Sequence, residues 1–326
     1  MTSENTINAA VKSLFEGIEF KAQPEGLYDP LRYMIAIGGK RVRPKLCLTA
    51  YSIFKDSLDD AILSAAAGLE VFHTFTLIHD DIMDKSPLRR AMPTVWKKWN
   101  PDTAILSGDV MLIDSYNRMA RVPGPARDSV MDLFSTTAAE VCEGQQLDME
   151  FEFRDEIGMD EYLRMIGLKT AVLLACAAKT GALVAGASEK ECDALYDYGY
   201  QLGMAFQIAD DYLDAYGDEK VFGKPIGGDI INEKKSWLTV RAFEKCTDKA
   251  RLLQEMKAVP SNKQEEQEKI NAVKALYDAA GVPSEALEAI ERYTGAALSC
   301  VDGLGLGGVK VQALKRFADK LIGRAK

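Results

Sequence analysis

Apolar residues along most of the chain recur at steps of three and four positions, the spacing that predicts amphipathic helices. The segments 63–77 and 193–215 both follow this pattern, and each leads into a group of aspartates. Strand-like alternation of apolar and polar residues is almost absent. We therefore predict an all-α protein that forms one large bundle of ten or more helices.

The prolines indicate where the longest helices should lie. Eight of them punctuate the first 125 residues, and the next one is Pro225. Because proline breaks the interior of a helix, its absence over about 100 residues permits several long helices there. Glycines at 38–39, at 217 and across 223–228 predict loops.

Composition narrows the class of protein. A net charge of −9 argues against nucleic acid as a partner. The six cysteines show no paired spacing and the N-terminus lacks the features of a signal peptide, so we expect a soluble, cytoplasmic protein. The longest apolar block, 171–178, is too short to cross a bilayer, and we expect no membrane span.

Two aspartate clusters of the same form carry the candidate chemistry. They are Asp80–Asp84 and Asp210–Asp214, and each reads Asp-Asp-x-x-Asp after an apolar helical face. Side chains four apart on a helix project from one face, so the first and last carboxylates of each cluster lie one turn apart. Two such clusters facing each other would favour Mg²⁺ bound jointly with a phosphorylated substrate.

Basic residues accompany both clusters. Arg89-Arg90 follows the first cluster, and Lys224 and Lys234 follow the second. Gly38–Pro44 crowds further positive charge at a predicted helix start, but it lacks the spacing of a nucleotide-binding P-loop. Guanidinium groups suit bidentate phosphate binding, and lysines can neutralise an anionic leaving group. Each motif alone has a structural interpretation, and their conjunction favours function.

Together these motifs make the chain similar to the trans-isoprenyl diphosphate synthases of the polyprenyl synthetase family, from roughly residue 28 to the C-terminus. The segments that carry the resemblance are Gly38–Pro44, His73–Asp81, Arg89-Arg90, Gly144–Gln146, Lys169-Thr170, Gln207–Asp211 and Gly223-Lys224. It implies the isoprenoid synthase fold around a central cavity, with residues 1–326 as a single domain whose first 27 residues are a helical extension. It also implies a homodimer. Two positions depart from the family, which commonly has Gly and His where Ala91 and Trp96 stand.

The resemblance further implies roles for matching residues. The ligands of three Mg²⁺ ions would be Asp80, Asp81, Asp84, Asp210 and Asp214. Catalysis and binding of the allylic diphosphate would involve Asp80, Asp84, Arg89, Lys169, Thr170, Gln207, Asp210, Lys224 and Lys234. Isopentenyl diphosphate would bind Lys40, Arg43, His73 and Arg90. The choice of Lys234 over Lys235 follows from matching the flanking residues.

The implied activity is a Mg²⁺-dependent condensation of isopentenyl diphosphate, head to tail, with dimethylallyl, geranyl or farnesyl diphosphate. Two other functions use part of the same pattern. A class I terpene cyclase would not need a second diphosphate pocket at Lys40 and Arg43. A non-catalytic subunit of a heteromeric prenyl synthase would be expected to have degraded clusters, whereas this chain keeps all six aspartates.

Two aromatic residues before the first cluster are candidates for setting product length. Phe75 and Phe72 lie five and eight residues before Asp80, about 7.5 and 12 Å down the helix at 1.5 Å per residue. An isoprene unit extends by roughly 5 Å. With Thr76, these rings would close the pocket after a few units, and in this family an aromatic at this position resembles the short-chain enzymes. We predict a C15–C20 product, with core packing of the rings as the alternative.

Overall fold

The computed structural model describes residues 1–218 and 226–323. These residues are helical along most of their length, as the three- and four-residue periodicity predicts. Strands in the described ranges are confined to one antiparallel hairpin, in which Leu88–Arg89 (β1) pairs with Met92–Pro93 (β2). The prediction of an all-α protein is confirmed. The chain divides into two compact units.

The first unit consists of Met1–Thr136, Cys176–Tyr196 and Gly307–Leu314. The helices that lie wholly within it are α1 (Glu4–Glu16), α2 (Glu25–Ala36), α3 (Val42–Ser52), α4 (Asp60–Met83), α5 (Val95–Lys98) and α6 (Pro101–Met119). Helix α4 forms its core and packs against α6 and α3. Helix α1 lies in the predicted N-terminal extension and packs on α3 and α4.

Helices α4 and α6 approach each other closely because glycine stands at two of their contacts. A Cβ on Gly108 would lie 2.2 Å from Nε2 of His79, and one on Gly68 would lie 2.9 Å from Sδ of Met119. Neither contact has room for a side chain. This packing fixes the direction of α4 and therefore the position of the aspartates at its end.

The second unit consists of Thr137–Ala175, Asp197–Leu306 and Lys315–Lys326. The helices wholly within it are α8 (Met159–Ile166), α11 (Gly228–Ile231), α12 (Trp237–Lys245), α13 (Lys249–Lys257), α14 (Lys263–Ala279) and α15 (Val282–Asp302). A π-helical turn, Gly167–Ala171, continues directly from α8.

Four helices contribute residues to both units. They are α7 (Ala126–Glu152), α9 (Val172–Ala185), α10 (Glu189–Tyr216) and α16 (Gly308–Ile322). Helices α7 and α10 have 27 and 28 residues and both lie in the proline-free stretch, which confirms the prediction of long helices there. The organisation of residues 1–326 as a single domain stays a prediction.

Two helical stretches, Asp60–Met83 and Met159–Ala185, are long and apolar enough to cross a membrane. The expectation that no stretch reaches this length was wrong, because the apolar block 171–178 is only part of a longer helical run. Of their most apolar windows, 67 % and 72 % respectively are buried inside the fold. Helices that are apolar all round are typical of a protein core as well as of membranes, so these two stretches are weak indicators of a span.

We expect Gly203→Ala to destabilise the protein by about 1–3 kcal/mol, because the added methyl group overpacks a tight helix contact. A Cβ at Gly203 on α10 would lie 2.5 Å from Cα of Ala171 in the π-helical turn. Gly295, in the interior of α15, provides the matched control because a Cβ there meets no atom of the described residues within 4 Å. Gly295→Ala should be neutral or stabilising by about 0.5–1 kcal/mol. Urea unfolding of both variants measures the difference, and equal losses would contradict the prediction.

Candidate active site

The first aspartate cluster lies at the C-terminal end of α4, as predicted. Asp80 and Asp81 belong to its last turn and Asp84 is its C-terminal cap. Asp80 is half-buried and Asp84 is exposed, whereas the Asp81 side chain is only 1 % exposed. Adjacent helical residues point about 100° apart, so Asp81 turns inward while the other two carboxylates share a different face.

Asp81 is held by Arg89. The arginine donates from Nε and Nη2 to the two carboxylate oxygens at 2.8–3.0 Å. Burial raises the pKa of Asp81, and the hydrogen bonds and charge of Arg89 oppose that rise. Asp81 was predicted as a metal ligand and Arg89 as a substrate contact. Those roles stay predictions, and in the structure the two side chains bind each other.

The hairpin that carries the two arginines is attached to the end of α4. Ser86 donates its backbone N–H to the carbonyl of Asp81 at 3.0 Å, and Trp96 donates from Nε1 to the carbonyl of Ser86 at 2.9 Å. Arg90 and Ala91 both have positive φ, 53° and 61°. Two consecutive left-handed residues are typical of a tight hairpin turn and favour glycine, which accounts for the glycine that the family commonly has at position 91.

A basic pocket lies beside this hairpin in the same unit. The charges of four guanidinium groups, those of Arg43, Arg89, Arg90 and Arg41, act on the His73 ring. Burial, followed by these four charges, lowers the pKa of His73 well below its usual value, so the ring is neutral. Burial also lowers the pKa of Arg43 to about 10.

The Gly38–Gly39 turn lies against one of these arginines, Arg90. A Cβ on Gly39 would lie 2.6 Å from Nη2 of Arg90, so only glycine lets the guanidinium rest against the backbone. Lys40 follows on the turn and is exposed. The structure therefore brings together Arg43, His73 and Arg90, which the resemblance implies as ligands of isopentenyl diphosphate.

The second cluster, Asp210–Asp214, occupies the end of α10. Its middle aspartate, Asp211, is buried and accepts three hydrogen bonds, from the Tyr162 hydroxyl at 2.6 Å, Gln207 Nε2 at 2.9 Å and the Trp237 backbone N–H at 2.7 Å. Burial raises the pKa of Asp211 to about 7, although these three bonds favour the charged carboxylate. Asp211 thus fixes the end of α10 to α8 and α12.

Two lysines of this unit share one carboxylate. Lys169 Nζ lies 2.6 Å from Asp148, and Lys234 Nζ lies 3.8 Å from Asp148 and 3.1 Å from Glu152. Burial would raise the pKa of Asp148, but the two lysine charges outweigh it and the pKa is lowered. Lys235 instead donates to the carbonyl of Glu233. The geometry therefore associates Lys234, and not Lys235, with Lys169.

Lys169 and Thr170 lie in the π-helical turn Gly167–Ala171. Helix α7 approaches this turn so closely that a Cβ on Gly144 would lie 2.3 Å from the Lys169 nitrogen. Thr170 donates from Oγ1 to Gln207 Oε1 at 2.9 Å and so joins the hydrogen-bond network of the second cluster. Single π-helical turns are frequent at functional sites, and this one carries two predicted site residues.

Sequence reasoning left two acidic residues of this unit out of the site. Asp148 follows one turn after Gly144, and its helical spacing from that motif was the available signal. Asp229 donates its backbone N–H to Asp214 Oδ2 at 2.8 Å. Burial, then the charges of Asp214, Asp211 and Asp210, raise the pKa of Asp229 well above its usual value. Lys224, a predicted catalytic residue, lies outside the described residues.

The donors that both clusters offer are carboxylate oxygens, which suit a hard divalent cation. In the described ranges, no three Asp, Glu, His or Cys side chains are gathered closely enough to hold a metal by themselves. Mg²⁺ is usually bound by one or two carboxylates together with substrate phosphates. Asp80 and Asp84 in one unit, and Asp210 and Asp214 in the other, fit that mode of binding.

The candidate chain-length residues belong to an aromatic cluster of the first unit. The Phe72 ring centroid lies 5.4 Å from that of Phe75 and 5.2 Å from that of Phe134, which in turn contacts Tyr116. Phe72 is 1 % exposed and Phe75 is 8 % exposed. Thr76 donates its hydroxyl to the carbonyl three residues earlier. The rings pack in the core, and their role in product length stays a prediction.

Comparison with known proteins identifies the family. The sequence profile of the polyprenyl synthetase family matches residues 24–277. A geranylgeranyl diphosphate synthase of Methanosarcina mazei is 44 % identical over 68 % of this chain and 69 % of its own length. A geranylfarnesyl diphosphate synthase of Natronomonas pharaonis is 40 % identical over 69 % and 71 %. A crystal structure of a geranylgeranyl pyrophosphate synthase is 41 % identical, covers 99 % of both chains and has a TM-score of 0.93. The chain therefore belongs to the polyprenyl synthetase family.

Proposed function

We propose that this protein is a Mg²⁺-dependent trans-prenyltransferase that condenses isopentenyl diphosphate with an allylic diphosphate to give a C15–C20 prenyl diphosphate. The observation that carries the proposal is that each acidic helix end has basic side chains in its own unit, as binding of diphosphates would require. Arg43, Arg90 and the neutral His73 ring lie in the unit of the first, and Lys169 and Lys234 lie in the unit of the second. Relatives named geranylgeranyl diphosphate synthase support the same activity.

Catalysis of this reaction depends on stabilising the charge that develops as the diphosphate departs, and less on a nucleophile of the protein. The carbon–oxygen bond of the allylic diphosphate breaks, leaving an allylic cation and diphosphate, and the alkene of isopentenyl diphosphate then forms the new carbon–carbon bond. Loss of a proton to the released diphosphate completes the step. Mg²⁺ held by Asp80, Asp84, Asp210 and Asp214 would supply Lewis-acid stabilisation of the leaving group.

The other catalytic and binding roles would belong to side chains of the protein. Lys169 and Lys234 would neutralise the departing diphosphate, since both ammonium groups already gather at one carboxylate. Thr170 and Gln207 would present oxygen dipoles to the cation, held in place by their mutual hydrogen bond. The neutral His73 ring can donate a hydrogen bond to isopentenyl diphosphate without adding a fifth positive charge to the basic pocket.

We further propose a cytoplasmic homodimer that binds three Mg²⁺ ions. All six cysteines are free, which is typical of a reducing compartment. Ile105, Leu106 and Ile113 expose 44 %, 58 % and 60 % of their surface on α6. Three large apolar side chains exposed along one helix favour a protein–protein contact there.

The proposal is tested by incubating the protein with isopentenyl diphosphate, an allylic diphosphate and Mg²⁺. We expect a longer linear prenyl diphosphate. A cyclic product would favour a terpene cyclase, and silence would favour a non-catalytic subunit.

In the same assay, Asp80→Ala and Asp210→Ala should each lower turnover by orders of magnitude, roughly 10²-fold or more, because each removes a proposed metal ligand. Asp132→Ala removes an exposed aspartate of α7 and serves as the matched control. Near-normal turnover of either site variant at ordinary Mg²⁺ would refute the metal assignment.

Arg43→Ala should raise the KM for isopentenyl diphosphate by about tenfold or more, because it removes a charge-assisted hydrogen bond donor from one pocket only. The KM for the allylic substrate should change little, since the proposed allylic contacts lie elsewhere. Arg121→Ala, which removes an exposed charge after α6, controls for net charge. An equal rise in both KM values would argue against separate pockets.

Phe75→Ala or Phe72→Ala should lengthen the product, because removing a ring below Asp80 deepens the space by about one turn of helix. Product analysis by chromatography of the dephosphorylated alcohols measures the change. Phe243→Ala removes an equally buried ring from α12 and should lower stability without altering length. The interpretation is wrong if the unmodified protein makes C30 or longer products, or if neither variant lengthens them.

A further inference from the structure

The four arginines around His73 do not all remain available to a ligand. Two of them are neutralised by carboxylates: Arg89 by Asp81, and Arg41 by Glu70. Among the described residues, Arg43 and Arg90 form no ion pair within 4.0 Å. Two of the four guanidinium groups, those of Arg41 and Arg89, are therefore paired with carboxylates. The other two, those of Arg43 and Arg90, have no ion-pair partner among the described residues.

Glu70 is an unusual residue for the position it occupies. It lies in the middle of α4, its side chain is 3 % exposed, and its Oε1 accepts a hydrogen bond from Arg41 Nη1 at 2.9 Å. Its second oxygen, Oε2, is buried and accepts no hydrogen bond from the part of the chain that the structure describes. A buried carboxylate is costly unless it is paired, so Glu70 and Arg41 depend on each other.

Arg41 fixes the turn that carries the predicted diphosphate ligands. Its backbone is left-handed, with φ 51°, and it stands at the N-terminal cap of α3. Its guanidinium also donates to the carbonyl of Ile35 at 2.8 Å and lies 4.4 Å from the centre of the Phe15 ring. The side chain thus joins α1, the end of α2 and α4 at a single buried point, between Lys40 and Arg43 in sequence.

Glu70 also acts on the two arginines that have no ion pair. Its charge favours the protonated state of both Arg43 and Arg90, opposing the burial that lowers the pKa of each. Nε of Arg43 is buried and has no hydrogen-bond acceptor in the described ranges. A half-buried guanidinium with an unused donor is suited to an anionic ligand.

We propose that Glu70 is a positioning residue of the isopentenyl diphosphate pocket. Through Arg41 it holds the Gly38–Arg41 turn in place, and it leaves Arg43 and Arg90 to the incoming diphosphate. Arg41, although it belongs to the same basic motif as Lys40 and Arg43, is a structural partner and not a ligand contact. This inference rests on the proposed function, because it assigns the pocket to the co-substrate of that reaction.

Glu70→Gln tests the proposal because it keeps the size of the side chain and removes its charge. We expect the KM for isopentenyl diphosphate to rise by about tenfold or more, as for the loss of a charge-assisted hydrogen bond. The allylic KM and kcat should change by less than about twofold, because the proposed allylic contacts include neither Glu70 nor Arg41. Calorimetric titration with isopentenyl diphosphate alone, without Mg²⁺, should show the same loss of affinity.

A double variant separates positioning from simple packing. In Arg41→Met/Glu70→Leu, two apolar side chains replace a buried ion pair, an exchange that often preserves or increases stability. We expect this variant to unfold at or above the denaturant midpoint of the unmodified protein, yet to keep the raised KM for isopentenyl diphosphate. Unmodified binding of isopentenyl diphosphate by the double variant would overturn the proposal, because the pair would then serve packing alone.

Asp114→Asn provides the matched control. It breaks the half-buried Arg118–Asp114 pair, a 2.7 Å contact within α6 of the same unit, and should leave both KM values unchanged. An equal rise in the allylic KM of Glu70→Gln would also overturn the proposal. If the unmodified protein neither binds isopentenyl diphosphate nor elongates an allylic primer, the proposed function itself fails, and the two failures are distinguished.

Discussion

Both aspartate clusters lie at the C-terminal ends of helices, where the aligned peptide dipoles already carry partial negative charge. Adding three carboxylates to such an end is unfavourable unless cations compensate. The surrounding structure provides that compensation: the hairpin after α4 carries arginines, and the π-helical turn and the segment before α12 carry lysines. In the first unit, the close α4–α6 packing keeps the aspartates at the end of α4 in place.

The middle aspartate of each cluster is buried, and the two clusters stabilise its carboxylate differently. Asp81 is neutralised by a guanidinium, whereas Asp211 is held only by neutral donors, two side chains and one backbone N–H. Burial raises the pKa of Asp211 to about 7, so protonation can relieve part of the negative charge of the second cluster. Burial and the neighbouring aspartates likewise raise the pKa of Asp229 and favour its neutral form. The lysines that share Asp148 provide positive charge in the same unit.

Three features could be predicted from the sequence: the all-α fold class, the long proline-free helices and the placement of both clusters at helix ends. They depend on local spacing and on the i, i+4 geometry of an α-helix. The inward orientation of Asp81 and Asp211 follows from the same geometry. Predicting it also requires knowing which side of each helix faces the core. The Arg41–Glu70 and Lys169–Asp148 pairs could not be predicted, since their members are 29 and 21 residues apart and meet only through tertiary packing.

The π-helical turn at Gly167–Ala171 has a further consequence for the helices on either side of it. One π turn adds a residue to the helical register, so α8 and α9 present faces rotated by about 100° relative to an uninterrupted helix. That extra residue sets the direction in which the side chains of Lys169 and Thr170 leave the helix. Deleting one residue of this turn outside Lys169-Thr170 would keep both of these side chains but would return α9 to the helical register of α8. The chemistry of Lys169-Thr170 therefore depends on the number of residues in the turn as well as on their identity.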